Sequence, residues 1–268
     1  LRTYMKRALK VLKQILVGVL LLAPIAFVLT FSIINELAPV TTPPPEAYEL
    51  DHVSRSLPSD ERKAIQRSRD SAVRVMSHRD DTGGTALSSG TYVTIHNRYF
   101  ILTTQHGIVG DCEHTIIMVA EVSYDCVQFI EVDEAEDYAI IEIYEIKNRT
   151  AVDVERDIPT DKEWIEALSI HKKIFYTGFP NGMGPLTFDG RIVGHSKSRY
   201  IYLHSYAWPG SSGSGVFTED GHLIGHVMAV DVGFTGLGPQ IIEDFVILVP
   251  AFNVNWDSIL EIEPIEAN

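Results

Sequence analysis

Cysteine is nearly absent from this chain: two residues in 268, Cys112 and Cys126. Two thiols are too few for a disulfide scaffold, and with no CxxC pair among them no structural metal is expected. Basic charge is short as well, 22 Lys+Arg against 36 Asp+Glu, a net −14 at pH 7. A general nucleic-acid binder needs a positive surface to replace phosphate counterions, so nucleic acid is excluded as a partner. No period of 20–50 residues recurs, which excludes a repeat array. The one Gly/Ser-rich run lacks a following Gly-Lys-Ser/Thr, which excludes a phosphate loop. What is present is a globular composition, 45% hydrophobic and 22% charged with 19 Gly and 13 Pro. It is neither that of a disordered chain nor that of a collagen or coiled coil.

The average conceals a split. Arg2, Lys6, Arg7, Lys10 and Lys13 are five of the 22 bases, and no acid precedes Glu36. Residues 1–13 therefore read as a basic tail on an acidic body. Gln14 to Asn35 are 22 uncharged, mostly apolar residues. As a helix they would reach roughly 33 Å, enough to cross a hydrocarbon core of about 30 Å. The exit Ile33-Ile34-Asn35-Glu36-Leu37-Ala38 is a poor cleavage site. An uncleaved transmembrane signal anchor over 14–35 is expected, with the N-terminus cytoplasmic and the body extracytoplasmic. A bacterial periplasm is the simplest placement. Pro39 to Glu46, PVTTPPPE, favours an extended spacer. Ser59-Asp60-Glu61 reads as a cap and acidic first turn of a short polar helix to about Arg69. Residues 36–70 are thus linker and helix, and 71–268 the folded domain.

From residue 71 short apolar or alternating runs recur between turn residues. Strands are expected near 72–77, 91–96, 99–104, 115–120, 126–132 and 138–144. A helix is expected around 161–170. Six more strands follow near 173–178, 188–194, 199–205, 215–218, 222–230 and 244–249, then a helix near 253–262. Even spacing of short strands points to an all-β barrel or sandwich.

Three patterns carry chemistry. Ile101-Leu102-Thr103-Thr104-Gln105-His106 is an apolar strand ending in histidine. Asp137-Tyr138-Ala139-Ile140-Ile141 is an aspartate opening an apolar strand; Asp133 opens none and is the weaker candidate. Pro209-Gly210-Ser211-Ser212-Gly213-Ser214-Gly215-Val216-Phe217 is a serine-bearing glycine loop running into a strand. Each alone is weak. Together they hold what nucleophilic acyl transfer needs. A serine hydroxyl requires an adjacent base, histidine supplies one, and a carboxylate fixes its tautomer. Backbone N–H groups beside the serine stabilise the oxyanion, and glycines at 210 and 213 let the loop aim them.

The order His…Asp…Ser on twelve strands resembles the chymotrypsin-fold serine peptidases. Ser89-Gly90-Thr91-Tyr92-Val93 through Leu102-Thr103-Thr104-Gln105-His106 resembles the GSGF…ILTxxH stretch of the HtrA branch. Phe175-Tyr176-Thr177-Gly178-Phe179-Pro180, the loop at Ser212, Leu223-Ile224-Gly225 and Val246–Pro250 resemble later parts of it. The resemblance covers about residues 71–262. It implies a double six-stranded antiparallel β-barrel with a short C-terminal helix, and a serine endopeptidase needing no cofactor. Ser212 would be the nucleophile, His106 the general base, Asp137 its orienting acid, and the N–H groups of Gly210 and Ser212 the oxyanion hole. Protein or peptide substrates are the implied partners, and many relatives form trimers, so monomer and homo-oligomer both stay open. No PDZ domain is expected within the 268 residues. Ser211 stands where digestive enzymes carry an aspartate for a newly cut N-terminus, so activation by such cleavage is not expected.

By the same resemblance Tyr206, Met228, Ala229 and Val230 would line the primary substrate pocket and favour an apolar residue before the cut. Glutamate-specific relatives place a histidine two residues after the Ile-Gly pair. Here that place is Val227, and His226, one earlier, should face away from the pocket. In an oxidising compartment Cys112 and Cys126 could form a hairpin-stapling disulfide; two free thiols are the alternative. A degenerate peptidase serving as a binding module at the membrane is the competing reading, and a hydrolase of non-peptide esters a third.

Overall fold

The computed structural model describes residues 53–79, 83–197, 199–235 and 238–259, with backbone only for 229–235 and 238–243. Helix α1 (Ser59–Ser71) runs without a loop into β1 (Ala72–Arg79). There follow β2 (Gly84–Ile95), β3 (Arg98–Thr103), β4 (Thr115–Val119), β5 (Val122–Asp125), β6 (Gln128–Asp133) and β7 (Tyr138–Ile143). The two-residue β8 (Val152–Asp153) and single-turn helices Val154–Asp157 and Trp164–Ala167 lead to the second half. That half contains β9 (Lys173–Gly178), β10 (Leu186–His195), β11 (Ile201–His204), β12 (Gly215–Thr218), β13 (Leu223–Thr235) and β14 (Gly238–Pro250). The fold is all-β, as expected, with few helices.

The two halves close differently. Strands β9–β14 form a closed barrel in the order β10-β11-β14-β13-β12-β9. Its core is one cluster that includes Tyr176, Ile192, Leu203, Val216, Ile224 and Leu248. The first half was expected to close likewise and does not. It is a curled sheet ordered β5-β4-β1-β2-β3-β7-β6, with β8 added parallel to β2. Among the described residues the unpaired edges are β5 and β6. Strand β5 is only Val122-Ser123-Tyr124-Asp125 and mostly exposed, so it has little apolar surface to gain by pairing further. Strand β6 carries a register shift between Phe129 and Glu131, which bends its edge away.

Both faces of this sheet are nevertheless buried. Val73, Val75, Tyr92, Ile101, Ile117 and Ile141 pack together on one side. Val93, Phe100, Leu102, Tyr138 and Ile140 face the other way, onto Phe217 and Leu223 of the barrel and onto Val254 and Ile259. That shared cluster joins the two halves. Burial of this kind stabilises by about 25 cal/mol per Å² of apolar surface removed from water.

Several elements differ from expectation. The cap of α1 is Pro58, not Ser59, with no side-chain bond to the helix end, and the helix runs to Ser71. Its buried residues are only Ala64, Ser68 and Ser71, so polar contacts hold it on the barrel. Ser68 Oγ donates to Thr177 Oγ1 at 2.9 Å, and Arg67 donates to the Gly221 carbonyl at 2.8 Å. Arg67 also pairs with buried Asp157 at 3.1 Å. Burial works to raise the Asp157 pKa, but the Arg156 hydrogen bond and the Arg67 charge hold it below the usual range. The helix expected at 161–170 is one turn, which Thr160 and Glu163 cap at its start and which ends where Leu168 leaves helical angles. Of the helix expected near 253–262, the described part forms 3₁₀ turns, Ala251–Asn253 and Trp256–Ile259, and residues 260–262 lie outside the described residues. There Trp256 Nε1 and Ser258 Oγ donate to the Ala251 and Asn255 carbonyls. The last hairpin is longer than expected, because backbone pairing continues through Asp231 and its neighbours.

Among the described residues no helix is long and apolar enough to cross a membrane. The span expected over 14–35, the basic tail and the Pro-rich spacer lie outside them. Cys112 and Cys126 form a disulfide, Cα–Cα 5.3 Å, tying the loop after His106 to the link between β5 and β6.

Candidate active site

Strand β3 ends at Thr103, and a 3₁₀ turn, Gln105–Gly107, presents His106 at the junction of the two halves. Asp137 precedes β7. The turn before it is held by Asp133, whose Oδ1 accepts from the N–H groups of Ala135 (2.7 Å) and Glu136 (3.0 Å). Asp133 is thus committed to the turn and does not reach His106. Asp137 itself adopts a left-handed backbone, φ +53°, which costs an aspartate roughly 1 kcal/mol.

The carboxylate of Asp137 is engaged twice by one residue. It accepts from the His106 backbone N–H at 3.0 Å and from His106 Nδ1 at 2.8 and 3.0 Å. With Nδ1–H given to Asp137, the neutral ring keeps its lone pair on Nε2. The imidazole is half-exposed while the carboxylate is largely buried.

Ser212 comes from the loop before β12. Gly210 (φ +95°) and Gly213 (φ +87°) shape it. A Cβ at Gly213 would overlap the Ser89 carbonyl of β2, so only glycine fits there. Among the described residues, neither the Gly210 nor the Ser212 N–H donates to a protein acceptor, so both are available to a ligand. The first half grips this loop through Ser89. Its N–H donates to the Ser212 carbonyl (2.8 Å), and its Oγ donates to the Gly210 carbonyl (2.7 Å) while accepting from Phe179 N–H (2.9 Å).

His106 and Ser212 line one cleft of about 190 Å³, together with Ala207, Trp208, Pro209, Ser211, Val227 and Met228. Most of these walls are apolar. The Ser212 hydroxyl donates to the Met228 carbonyl at 3.1 Å, not to the imidazole. Of the other expected pocket residues, Met228 lines the cleft. Tyr206 is exposed and lines a neighbouring depression of about 250 Å³ with Lys173, Asp189, Arg191, His204 and Asp244. Ala229 and Val230 continue β13 opposite Ile247 and Val246, and their side chains are outside the description. His226 lies on neither depression. It is wholly buried, its Nε2 3.2 Å from the Asp137 backbone carbonyl, and burial pushes its pKa down to about 4.

Two residues of this site carried no assigned role in the sequence reading. Ser89 was visible only as part of a resemblance, and His226 only as a residue facing away from a pocket. No local pattern marks a buried polar residue whose partner is far away in sequence.

The profile of the trypsin-like peptidase domain family matches residues 88–225, which spans the His106 turn, Asp137 and Ser212. The chain belongs to the trypsin-like peptidase family. By family it is a serine endopeptidase, a hydrolase of protein substrates. Solved structures agree on the fold. A serine endoprotease from Yersinia pestis superposes with a TM-score of 0.58 at 19% identity, over 76% of this chain and 68% of that one. The Rv3671c protease from M. tuberculosis, in its active form, gives 0.58 at 13%, over 75% and 86%. The HtrA-type protease AlgW, solved with a tripeptide, gives 0.56 at 18%, over 73% of this peptidase and 61% of AlgW. No curated protein matches the sequence.

Proposed function

We propose that this trypsin-like peptidase cuts proteins through Ser212, His106 and Asp137. The observation that carries the reading is the His106–Asp137 pair facing the cleft that also holds Ser212. In the proposed mechanism, the Ser212 hydroxyl turns from the Met228 carbonyl to His106 Nε2. As Oγ attacks the substrate carbonyl, its proton passes to Nε2, and Asp137 stabilises the imidazolium that forms. The oxyanion sits between the N–H groups of Gly210 and Ser212. Nε2 then returns the proton to the leaving amine, and water, activated by the same nitrogen, releases the acyl group. The apolar walls at Ala207, Val227 and Met228 support preference for an apolar residue before the cut.

The enzyme is proposed to be tethered by residues 14–35, with the peptidase domain extracytoplasmic. The basic tail and long apolar run support this, and so does the paired state of Cys112 and Cys126. A reporter fused after Asn268 should be active only outside the cytoplasm; cytoplasmic activity would refute the topology.

One observation favours the alternative, a binding module: the serine hydroxyl engages Met228 rather than His106. Labelling with a fluorophosphonate, which captures only an activated serine, separates the two. The full chain should label and Ser212→Ala should not. A folded native chain that stays unlabelled would leave the binding module standing.

A further inference from the structure

His226 is the buried ionisable group at this junction for which the proposed triad has no use. Its β13 neighbours Ile224 and Val227 face the barrel core. His226, wholly buried, meets the first half instead, with Nε2 3.2 Å from the Asp137 carbonyl. A carbonyl only accepts, so Nε2 carries the hydrogen and the neutral ring keeps its lone pair on Nδ1. Nδ1 is buried and has no partner among the described residues. Leucine would fill the same space without an orphaned acceptor, so packing alone does not account for a histidine here.

What the ring does hold is a backbone that would otherwise relax. Asp137 is left-handed at φ +53°, and a return to extended angles would swing its carbonyl and carboxylate together. Both carboxylate oxygens are spent on His106, so any swing is felt at the imidazole. Among the described residues, two side chains of the second half also reach this turn, and Asn255 N–H donates to Tyr138 OH at 3.2 Å just beyond it. Asn253 Nδ2 donates to Glu136 Oε2 at 2.6 Å, and Tyr200 OH to the Ala135 carbonyl at 3.4 Å. The two side chains hold residues that precede Asp137, and Asn255 holds the ring of the residue after it; among the described residues, His226 is the group of the second half that bonds to the Asp137 carbonyl itself.

We propose that His226 is a positioning residue, whose Nε2–H locks the left-handed Asp137 and thereby sets the carboxylate against His106 from across the junction. The role rests on the triad reading above. It makes the competence of the His–Asp pair depend on docking of the second half.

The test uses the full chain and a fluorophosphonate probe at saturating concentrations, to separate the maximal inactivation rate from probe affinity. Native enzyme and Ser212→Ala are compared first; a folded native chain without labelling overturns the triad reading itself. In His226→Leu the maximal rate should fall by about 10- to 100-fold with affinity within about twofold. In His226→Gln, which keeps a donor near the same place, the rate should return to within about threefold of native. A folded Leu variant that labels at the native rate overturns the role of His226 alone, as does an equal loss in Leu and Gln. The native protein supplies a measurement that does not depend on whether the variants fold. Its imidazole ¹⁵N spectrum should show His226 as the neutral Nε2–H tautomer, and an Nδ1–H tautomer would overturn the proposal.

Discussion

The first sheet and the second barrel contribute to the same cleft by different means. The sheet presents its groups through side-chain bonds to backbone. Asp133 ties the turn, Asp137 grips the His106 N–H and ring, and Ser89 holds the carbonyls of the opposite loop. The barrel presents Ser212 through backbone shape, with Gly210 and Gly213 at angles other residues avoid. The open sheet lacks a closed hydrogen-bond ring to define its loops, and polar side chains fix them instead. The closed barrel can leave its loop to glycine because the strands on either side are already set. Substitutions in the sheet should therefore damage chemistry more than stability, and those in the barrel loop both at once.

The sharpest way to test this contrast is Asp137→Asn. The amide can still hydrogen-bond to His106 but favours the wrong tautomer, so acylation by a peptide substrate or fluorophosphonate should fall by about 10⁴. Thermal unfolding should change by only a few degrees. A comparable loss of stability would break the assignment of Asp137 to chemistry. Gly213→Ala should fail on both counts. Its Cβ would overlap the Ser89 carbonyl, and accommodating it should cost about 1–3 kcal/mol with at least about 100-fold in labelling. An active, fully stable Gly213→Ala would show that the loop is not held as described.

Two smaller effects concern what holds each half. Opening the Cys112–Cys126 link by double serine substitution frees a loop of about 15 residues and should cost about 3 kcal/mol in urea unfolding. Labelling below the transition should stay within about twofold, because the bridge lies behind His106 and not in the cleft. The barrel side is tested by acid. The folded-state pKa of His226 is about 4, against 6.5 for the free side chain. The unfolded chain therefore takes up this proton first on acidification. The contribution is fully present above pH 6.5 and is lost as pH falls toward 4, for a total of ~3 kcal/mol. Urea unfolding followed between pH 6.5 and 4 should show this loss in the native chain and a flatter profile in His226→Leu.

Much of this architecture was legible beforehand, and the reasons differ by element. Strands β7 and β9 could be placed within a residue because they are apolar on both faces and bounded by turn residues. His106 and Asp137 stood out because each flanks such a strand. Closure of the first sheet was not legible, since it depends on whether the polar Val122–Asp125 segment pairs with a distant strand, which no local pattern encodes. The outer half of the β13–β14 hairpin was hidden for a related reason. Acidic residues there break the apolar alternation, yet backbone pairing does not need an apolar side chain. Ser59 as a cap was a fair local inference that Pro58 displaced. Ser89 and His226 are buried polar residues whose partners across the junction lie 90–123 and 89 positions away, beyond the reach of any window.

The smallest effect discriminates between the two aspartates of one turn. Asp133 accepts two backbone N–H bonds four residues before Asp137 and makes none to His106. Asp133→Ala should loosen the turn at a cost of about 1 kcal/mol, the usual worth of such a cap. The left-handed Asp137 remains held on its far side by His226, so labelling should fall only about two- to fivefold. Asp133→Asn keeps an acceptor and should recover most of that loss. A drop of a thousandfold in Asp133→Ala, approaching that of Asp137→Asn, would mean that the turn and not the second half sets the carboxylate. The contrast between a sheet that positions by polar side chains and a barrel that positions by backbone would then narrow to the sheet acting on its own.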